Sequence, residues 1–251
     1  MGKLTGTERP PADDGRRRAP IVFGHRGARA YAADNTIESF RLALAQGADG
    51  IETDAWLSAD GVPVLVHDAT IAGRGGRRVS VKRSTAAELA DLGVPSLADL
   101  YRECGTDYNL SVDVEHPDVG WPLVEVAASF AATGRLWLCS EDEAVLADLR
   151  RRTRDVRFVF SAGPRPRGGL APLLHRLAKL RVDVVNLRQD GWTRERVAAA
   201  HDAGLLAFGW NVQDDAAAAR MVELEVDGVY GDAPDRMIAA IAAARAARPL
   251  I

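Results

Sequence analysis

The sequence lacks several features that would assign the chain to a class directly. Its 251 residues include only 2 cysteines, Cys104 and Cys139, which show neither the spacing of metal ligands nor a C-x-x-C pattern. A disulfide-rich scaffold is therefore excluded and reduced thiols in a cytoplasmic protein are expected, while a single bridge between the two stays open. No apolar run approaches the roughly 18 residues of a membrane span. No G-x-G-x-x-G or P-loop sequence indicates a nucleotide site.

A surplus of positive charge is also absent. The formal net charge is -3 and the pI is about 6.0, which argues against a nucleic-acid-binding surface. Residues 1–20 are rich in Pro, Gly, Asp and Arg, but no apolar segment follows their basic run at residues 16–18, so a secretory signal is not indicated. We expect residues 1–20 to form a disordered tail and residues 21–251 to form one domain.

The sequence does contain a regular alternation of strand-like and helix-like segments. Eight short runs with β propensity are separated by amphipathic stretches rich in Ala and Leu. The runs cover residues 21–23, 50–56, 109–114, 136–139, 157–161, 183–187, 205–210 and 227–230. This pattern favours a closed α/β (β/α)8 TIM barrel over an open doubly wound sheet. A returning strand at residues 62–66 and a loop rich in Gly and Arg predict a short insertion after the second barrel strand.

The first helix has a recognisable start signal. Asn35 is a good N-cap residue, and Glu38 stands three residues later in the spacing of a capping box. Ile37 and Phe40 follow at helical spacing until Gly47 ends the pattern. The sequence therefore predicts a helix that begins directly after Asn35.

Titratable side chains are concentrated where the predicted strands end. The first strand leads into His25 and Arg26. In the second strand, the two-residue repeat puts Glu52 and Asp54 on one face. The returning strand then brings His67 back near these carboxylates. Because α/β barrels carry their active sites at the carboxyl ends of the strands, these residues predict a catalytic site.

The third barrel strand adds two more acids. Strand alternation puts Asp113 and Glu115 on one face, with Val112 and Val114 on the opposite face towards the helices. Ionised carboxylates that point into a barrel without a partner are costly to bury. A bound cation is therefore the expected partner of these acids.

In order and spacing, these residues resemble the glycerophosphodiester phosphodiesterase family. The resemblance rests on His25-Arg26-Gly27, Asp34-Asn35-Thr36, Glu52-x-Asp54, His67-Asp68, Gly209-Trp210 and Asp227-Gly228-Val229-Tyr230-Gly231-Asp232-x-Pro234. It implies a metal-dependent TIM barrel that hydrolyses glycerophosphodiesters to an alcohol and sn-glycerol 3-phosphate. In the third strand the family has Glu-x-Lys, whereas this chain has Asp113 and Glu115. A carboxylate thus stands where the family's lysine faces the substrate phosphate.

The resemblance also implies catalytic and metal-binding roles. His25 and His67 would be the catalytic acid and base, one activating the nucleophile and the other protonating the departing alcohol, with the assignment left open. Glu52, Asp54 and Asp113 would bind the metal. Because all their ligand atoms are oxygens, we expect one hard divalent cation per site, Mg2+ or Ca2+.

Three further residues are expected to contact the substrate. Arg26 would hold a phosphate oxygen, Trp210 would form an apolar wall for the alcohol portion, and Glu115 would occupy the position of the family's lysine. The expected partner is a small phosphodiester, with no nucleic acid and no membrane span, and the oligomeric state stays open. The alternatives are a lysophospholipase-D-like phosphodiesterase, a catalytically impaired barrel that binds phosphate or metal, and a site in which Glu115 helps to gather a second cation.

Overall fold

The computed structural model of the protein describes residues 19–247. The predicted disordered tail lies outside the described residues except for its last two positions, and the basic run at residues 16–18 lies outside them entirely. Ala19 packs against the hydrophobic core. No helix within residues 19–247 is long and apolar enough to cross a membrane.

The described residues form strands and α-helices that alternate along most of the chain. The strands are β1 (Ile21–His25), β2 (Gly50–Leu57), β3 (Pro63–Leu65), β4 (Thr70–Ala72), β5 (Arg78–Ser80), β6 (Asn109–Val114), β7 (Leu136–Ser140), β8 (Arg157–Ala162), β9 (Val184–Arg188), β10 (Leu206–Trp210) and β11 (Gly228–Gly231). The α-helices are α1 (Ile37–Ala45), α2 (Ala86–Ala90), α3 (Leu97–Cys104), α4 (Gly120–Ser129), α5 (Glu143–Arg152), α6 (Leu170–Leu180), α7 (Arg194–Asp202), α8 (Asp215–Leu224) and α9 (Pro234–Ala246).

Eight parallel strands close into a barrel. Their hydrogen-bonded order is β1-β11-β10-β9-β8-β7-β6-β2, and β2 also pairs with β1, which closes the sheet. Each of the eight predicted strand segments overlaps one of these barrel strands. The predicted (β/α)8 TIM barrel is therefore confirmed.

The predicted insertion follows β2. Within it, β3 runs antiparallel to β2, with Trp56 opposite Val64, and β4 and β5 form a second antiparallel hairpin that the sequence did not predict. Val64 and Val81 form a small hydrophobic core there with Leu89 and Val94. The insertion is thus a packed structure with a core of its own.

The start of α1 differs from the prediction by one residue. Thr36 is the N-cap: its hydroxyl accepts the backbone N–H of Ser39, and the Ser39 hydroxyl accepts the backbone N–H of Thr36. The predicted capping box of Asn35 and Glu38 is wrong. Asn35 has a left-handed backbone conformation, with φ of 55°, and its buried side chain is used inside the barrel instead.

Aromatic side chains fill the lower layer of the barrel interior, which is the layer nearer the amino ends of the strands. Phe23, Trp137, Phe208 and Tyr230 are all at most 4% exposed. The ring centroids of Phe23 and Tyr230 are 4.9 Å apart, and those of Trp137 and Phe208 are 5.4 Å apart. Gly50 makes room for this packing, since a Cβ there would lie 2.7 Å from ring atoms of Phe23. This layer gives the barrel a solid floor.

The two cysteines do not form a bridge. Cys104, in α3, and Cys139, in β7, are both free. Burial and the nearby charge of Asp113 raise the pKa of the Cys139 thiol well above its ordinary value. Cys139 is therefore a protonated thiol inside the barrel, as the expectation of reduced cysteines implies.

Candidate active site

All eight residues singled out from the sequence line one cavity at the carboxyl ends of the barrel strands. The cavity has a volume of about 630 Å³. The eight residues in its lining are His25, Arg26, Glu52, Asp54, His67, Asp113, Glu115 and Trp210. The fold therefore brings together side chains that the chain separates by more than 180 residues.

His25 ends β1 and is held by a carboxylate at the end of the neighbouring strand β11. Its Nδ1 lies 2.6 Å from Oδ1 of Asp232, and its Nε2 lies 3.9 Å from Oε2 of Glu52. Burial alone would raise the pKa of Asp232, but the hydrogen bond and charge of His25 lower it. An ionised Asp232 thus orients the ring so that Nε2 faces the carboxylates.

His67 follows β3 and has a similar arrangement. Its Nδ1 lies 2.7 Å from Oδ1 of Asp68. Its backbone carbonyl accepts a hydrogen bond from the indole Nε1 of Trp56 at 2.9 Å, which ties this segment to β2. The His67 side chain is 46% exposed and that of His25 is 28% exposed, so His67 is the more accessible of the two. Both imidazoles have Nδ1 bound to a carboxylate, which leaves Nε2 of each for substrate.

Glu52, Asp54 and Asp113 form a compact carboxylate cluster. One oxygen of each lies within 4.8 Å of the others, and the pairing of β2 with β6 sets Asp54 beside Asp113. Burial, followed by the charges of neighbouring acids, raises the pKa of Glu52 well above its ordinary value and that of Asp113 to about 6. Burial is the largest cause of both shifts, and the nearby charge of Arg26 offsets it only in part. The cluster fits a hard divalent cation, which prefers oxygen ligands.

Hydrogen bonds fix the carboxylates in place. Asn35 donates from Nδ2 to Oδ2 of Asp54 at 2.8 Å, and its Oδ1 accepts the Thr53 hydroxyl at 2.7 Å. The backbone N–H of Arg26 donates to Oε2 of Glu52 at 2.8 Å. Asp54 and Glu52 each accept these bonds through one carboxylate oxygen. The other oxygen of each is left for a metal ion.

Arg26 lies directly after β1 in a left-handed backbone conformation, with φ of 54°. Its Nη1 donates to Oδ2 of Asp34 at 3.2 Å, and its Nε lies 3.1 Å from Oδ2 of Asp54. Burial lowers the pKa of Arg26, but the charge of Asp54 and the other acids outweighs it and the net shift is upwards. Two acids therefore hold the guanidinium against the cluster, and its remaining N–H groups can meet a phosphate.

Trp210 and Glu115 border the cavity on different strands. Trp210 ends β10, and its indole N–H donates to the carbonyl of Ala162 at 3.2 Å. Glu115 follows β6, and burial with the charges of Asp54 and Asp113 raises its pKa to about 7. Among residues 19–247 it forms no ion pair with Lys or Arg. The charge reversal relative to Glu-x-Lys therefore leaves an acid at the site, and the charges of His67 and Arg26 offset its burial only in part.

Comparison with known proteins assigns the chain to a family. The model of the glycerophosphoryl diester phosphodiesterase family matches residues 25–236. The chain belongs to this family. The expected enzyme class, a phosphoric diester hydrolase of glycerophosphodiesters, is thereby confirmed.

Individual relatives of this phosphodiesterase agree over most of its length. A glycerophosphodiester phosphodiesterase of Caldanaerobacter subterraneus is 24% identical over 237 residues, which cover 87% of this chain and 96% of that protein. A crystal structure of a glycerophosphoryl diester phosphodiesterase from Silicibacter pomeroyi has a TM-score of 0.81 at 23% identity, covering 92% of this chain and 96% of that one. An Oleispira antarctica phosphodiesterase, solved with the product sn-glycerol-3-phosphate, has a TM-score of 0.78 at 21% identity, covering 89% and 97%.

The phosphodiesterase site includes residues that the sequence did not reveal. Asp232 belongs to the closing motif, but nothing in the sequence shows that it pairs with His25, 207 positions away. Asn35 has the signature of a helix cap and is instead a partner of a cluster acid. Tyr230 and Asn186 line the cavity from β11 and β9. Strand alternation places both inward, which was the one available signal.

Proposed function

We propose that this phosphodiesterase cleaves glycerophosphodiesters by acid–base catalysis with His25 and His67, and that Glu52, Asp54 and Asp113 hold a divalent cation. The observation that supports this most strongly is the pair of imidazoles, each bound to a carboxylate through Nδ1, in the same cavity as the three-carboxylate cluster. One imidazole takes a proton from the nucleophile, which is water or the glycerol hydroxyl. The other donates a proton to the alcohol oxygen as its bond to phosphorus breaks.

The residues around the histidines prepare this proton transfer. Asp232 and Asp68 hold the two rings and stabilise them when they carry a proton. Arg26 holds a phosphate oxygen through N–H groups that its acids leave free. A bound cation would supply charge neutralisation at the phosphoryl oxygens. Trp210 would pack against the alcohol portion.

We infer one cation per site, with Mg2+ and Ca2+ as candidates because all three ligands are carboxylates. The substrate is a small molecule, in line with the sn-glycerol-3-phosphate bound to the Oleispira antarctica relative. A cytoplasmic location stays a prediction from the two free cysteines.

The proposal is tested by the release of glycerol 3-phosphate from glycerophosphocholine and glycerophosphoethanolamine. The assay is run with Mg2+, with Ca2+ and with chelator on wild type and His25→Ala. We expect cation-dependent turnover that His25→Ala lowers by about 10³-fold. His175→Ala is the matched control, because His175 is exposed on α6 and lies outside the cavity.

Two outcomes would contradict the proposal. Turnover that chelator leaves unchanged would remove the cation from the mechanism. Absence of turnover with either cation would favour a barrel that binds a phosphorylated ligand or a metal without catalysis. In that case Glu115, at the position of the family's lysine, would be the first residue to exchange.

A further inference from the structure

A strongly basic hairpin lies next to the proposed active site. We define the basic hairpin as residues 70–83, which contain β4, β5 and the turn between them. Its five charged residues are all cations: Arg74, Arg77, Arg78, Lys82 and Arg83. All five side chains belong to exposed residues. The net charge of the protein is -3, so these five cations form a local positive patch on an acidic protein.

The cations of the basic hairpin lack acidic partners within residues 19–247. Among the ion pairs of residues 19–247, none includes any of the five. Lys82 lies over an aromatic ring, with its Nζ 5.1 Å from the ring centre of Trp56. None of the residues 70–83 lines the active-site cavity. The charges are therefore available to a partner outside the chain, and they do not substitute for the missing lysine at the phosphate.

The basic hairpin is firmly held. Ile71 is paired with Val79 across the two strands, and both pack against the core of the insertion. The backbone N–H of Gly73 donates to the carbonyl of Arg77 at 2.7 Å, which closes the turn, and Gly75 and Gly76 have the positive φ values that the tight turn needs. Arg74, Arg77 and Arg78 are thus displayed from a fixed turn, which lowers the entropy cost of using them together.

The hairpin's position connects it to catalysis. It begins two residues after Asp68, the partner of His67, and the backbone N–H of Val81 donates to the carbonyl of Ala69 at 3.0 Å. Trp56, which lies under Lys82, donates its indole N–H to the His67 carbonyl. A surface bound by the hairpin would therefore lie beside the mouth of the cavity.

The same end of the barrel has a second basic connection. The loop between β8 and α6 contains Arg165 and Arg167, both exposed, and no acid. Acids at this end, such as Glu141 and Asp214, are on the shorter connections that follow β7 and β10. The basic hairpin and the connection between β8 and α6 each contain cations and no acid, whereas the connections after β7 and β10 contain acids.

We propose that the basic hairpin docks the enzyme on an anionic lipid bilayer, with the cavity mouth next to the membrane. Clusters of four to eight Lys or Arg residues bind anionic bilayers, each cation contributing about a fivefold gain in partitioning. The hairpin's outward side has charge and no apolar wedge, so the attachment is electrostatic and sensitive to salt. The docking itself does not depend on the proposed function. Its use, which is the turnover of diesters released from or present in the bilayer, rests on the proposed function.

The test compares sedimentation of the full chain with vesicles of phosphatidylcholine alone and of phosphatidylcholine with phosphatidylglycerol. We expect binding only to the anionic vesicles and its loss at high salt. The variant R74Q/R77Q/R78Q should lower the partition coefficient on the order of 100-fold. The matched control is R154Q/K179Q/R181Q, which removes the same charge from exposed residues that also form no ion pair within residues 19–247; they precede β8 or β9 and so lie at the opposite end of the barrel. The control should bind as wild type does.

Three results would overturn the proposal: wild type binding equally to neutral vesicles, equal loss in both triple variants, or retention of binding by the hairpin variant. Binding of heparin or duplex RNA more tightly than the anionic vesicles, lost in the same variant, would assign the hairpin to a polyanion and also overturn it. Turnover of soluble glycerophosphocholine is measured in parallel. The hairpin variant should keep this turnover. A loss of vesicle binding therefore tests the docking, and a loss of turnover tests the proposed catalysis.

Discussion

Two layers of the barrel interior come from the same strands and have opposite properties. Phe23 and Phe208 in the lower layer are fully buried and contact each other, with ring centroids 5.9 Å apart. Two residues further along the same strands, His25 and Trp210 face the cavity. The lower layer buries apolar rings, which stabilises the fold. The upper layer gathers acids whose raised pKa values show that their charges cost stability without a cation.

Along these strands, the residues that stabilise the fold and the residues that face the cavity are two positions apart, which is one repeat of a strand. Tyr230 and Asp232 follow the same rule on β11: the tyrosine is buried, with its hydroxyl 3.2 Å from that of Ser111, and the acid holds His25. Substitutions of lower-layer residues that do not line the cavity, such as Phe208, should therefore change folding, and substitutions in the upper layer should change turnover.

The largest effect should come from emptying the lower layer. Phe208→Ala removes a fully buried ring and should lower the free energy of unfolding by about 3–5 kcal/mol. Chemical denaturation measures this loss. Turnover per folded molecule should stay close to that of wild type, because Phe208 does not line the cavity. A proportional loss of both would show that the two layers are not separable.

The next effect concerns the orientation of His25. Asp232→Asn keeps a group that can hydrogen-bond to Nδ1 but removes the charge that stabilises a protonated ring. We expect kcat to fall by about 10²-fold, at the low end of the range for acid–base catalysis, with KM and the unfolding midpoint little changed. If KM rises instead while kcat is retained, Asp232 contacts the substrate and does not act through His25.

A smaller effect should follow from restoring the family's cation. Glu115→Lys places a positive charge where an acid now lies, and a charge-assisted hydrogen bond to phosphate is worth about 1.5 kcal/mol. We expect KM for glycerophosphocholine to fall about tenfold. Glu141→Lys is the control, because Glu141 also lines the cavity but stands on β7's connection. A lower affinity for Mg2+ in Glu115→Lys would show that Glu115 is itself a metal ligand.

Much of the fold could be predicted because its signals are local. Each barrel strand is a short apolar run, and helix starts have local capping residues, such as Thr85 with Glu88 at the start of α2. The extra hairpin of β4 and β5 was not predictable, since its strands are three residues long and most of their side chains are exposed or half-buried. Propensity is weakest in segments of that kind.

The site was predictable where a motif and strand alternation agree, as for Glu52 and Asp54. It was not predictable where a residue's role depends on a distant partner. Asn35 is the clearest case: its local context favours a helix cap, and only the barrel's closure brings it to Asp54. Glu115 is the opposite case. The sequence alone shows that an acid replaces the family's lysine, but only the structure shows which side chains surround that acid.

The most direct test of the two-layer account measures stability and turnover on one substitution, Glu52→Gln. The pKa of Glu52 is raised, so its charge destabilises the metal-free protein as pH rises above the carboxylate's ordinary value of 4.5. Glutamine keeps the acceptor for the Arg26 N–H and removes that charge. In chelator at pH values above neutrality, the variant should melt at the same temperature as wild type or higher, while cation-dependent turnover is lost. A lower melting temperature, or turnover that persists, would contradict the account.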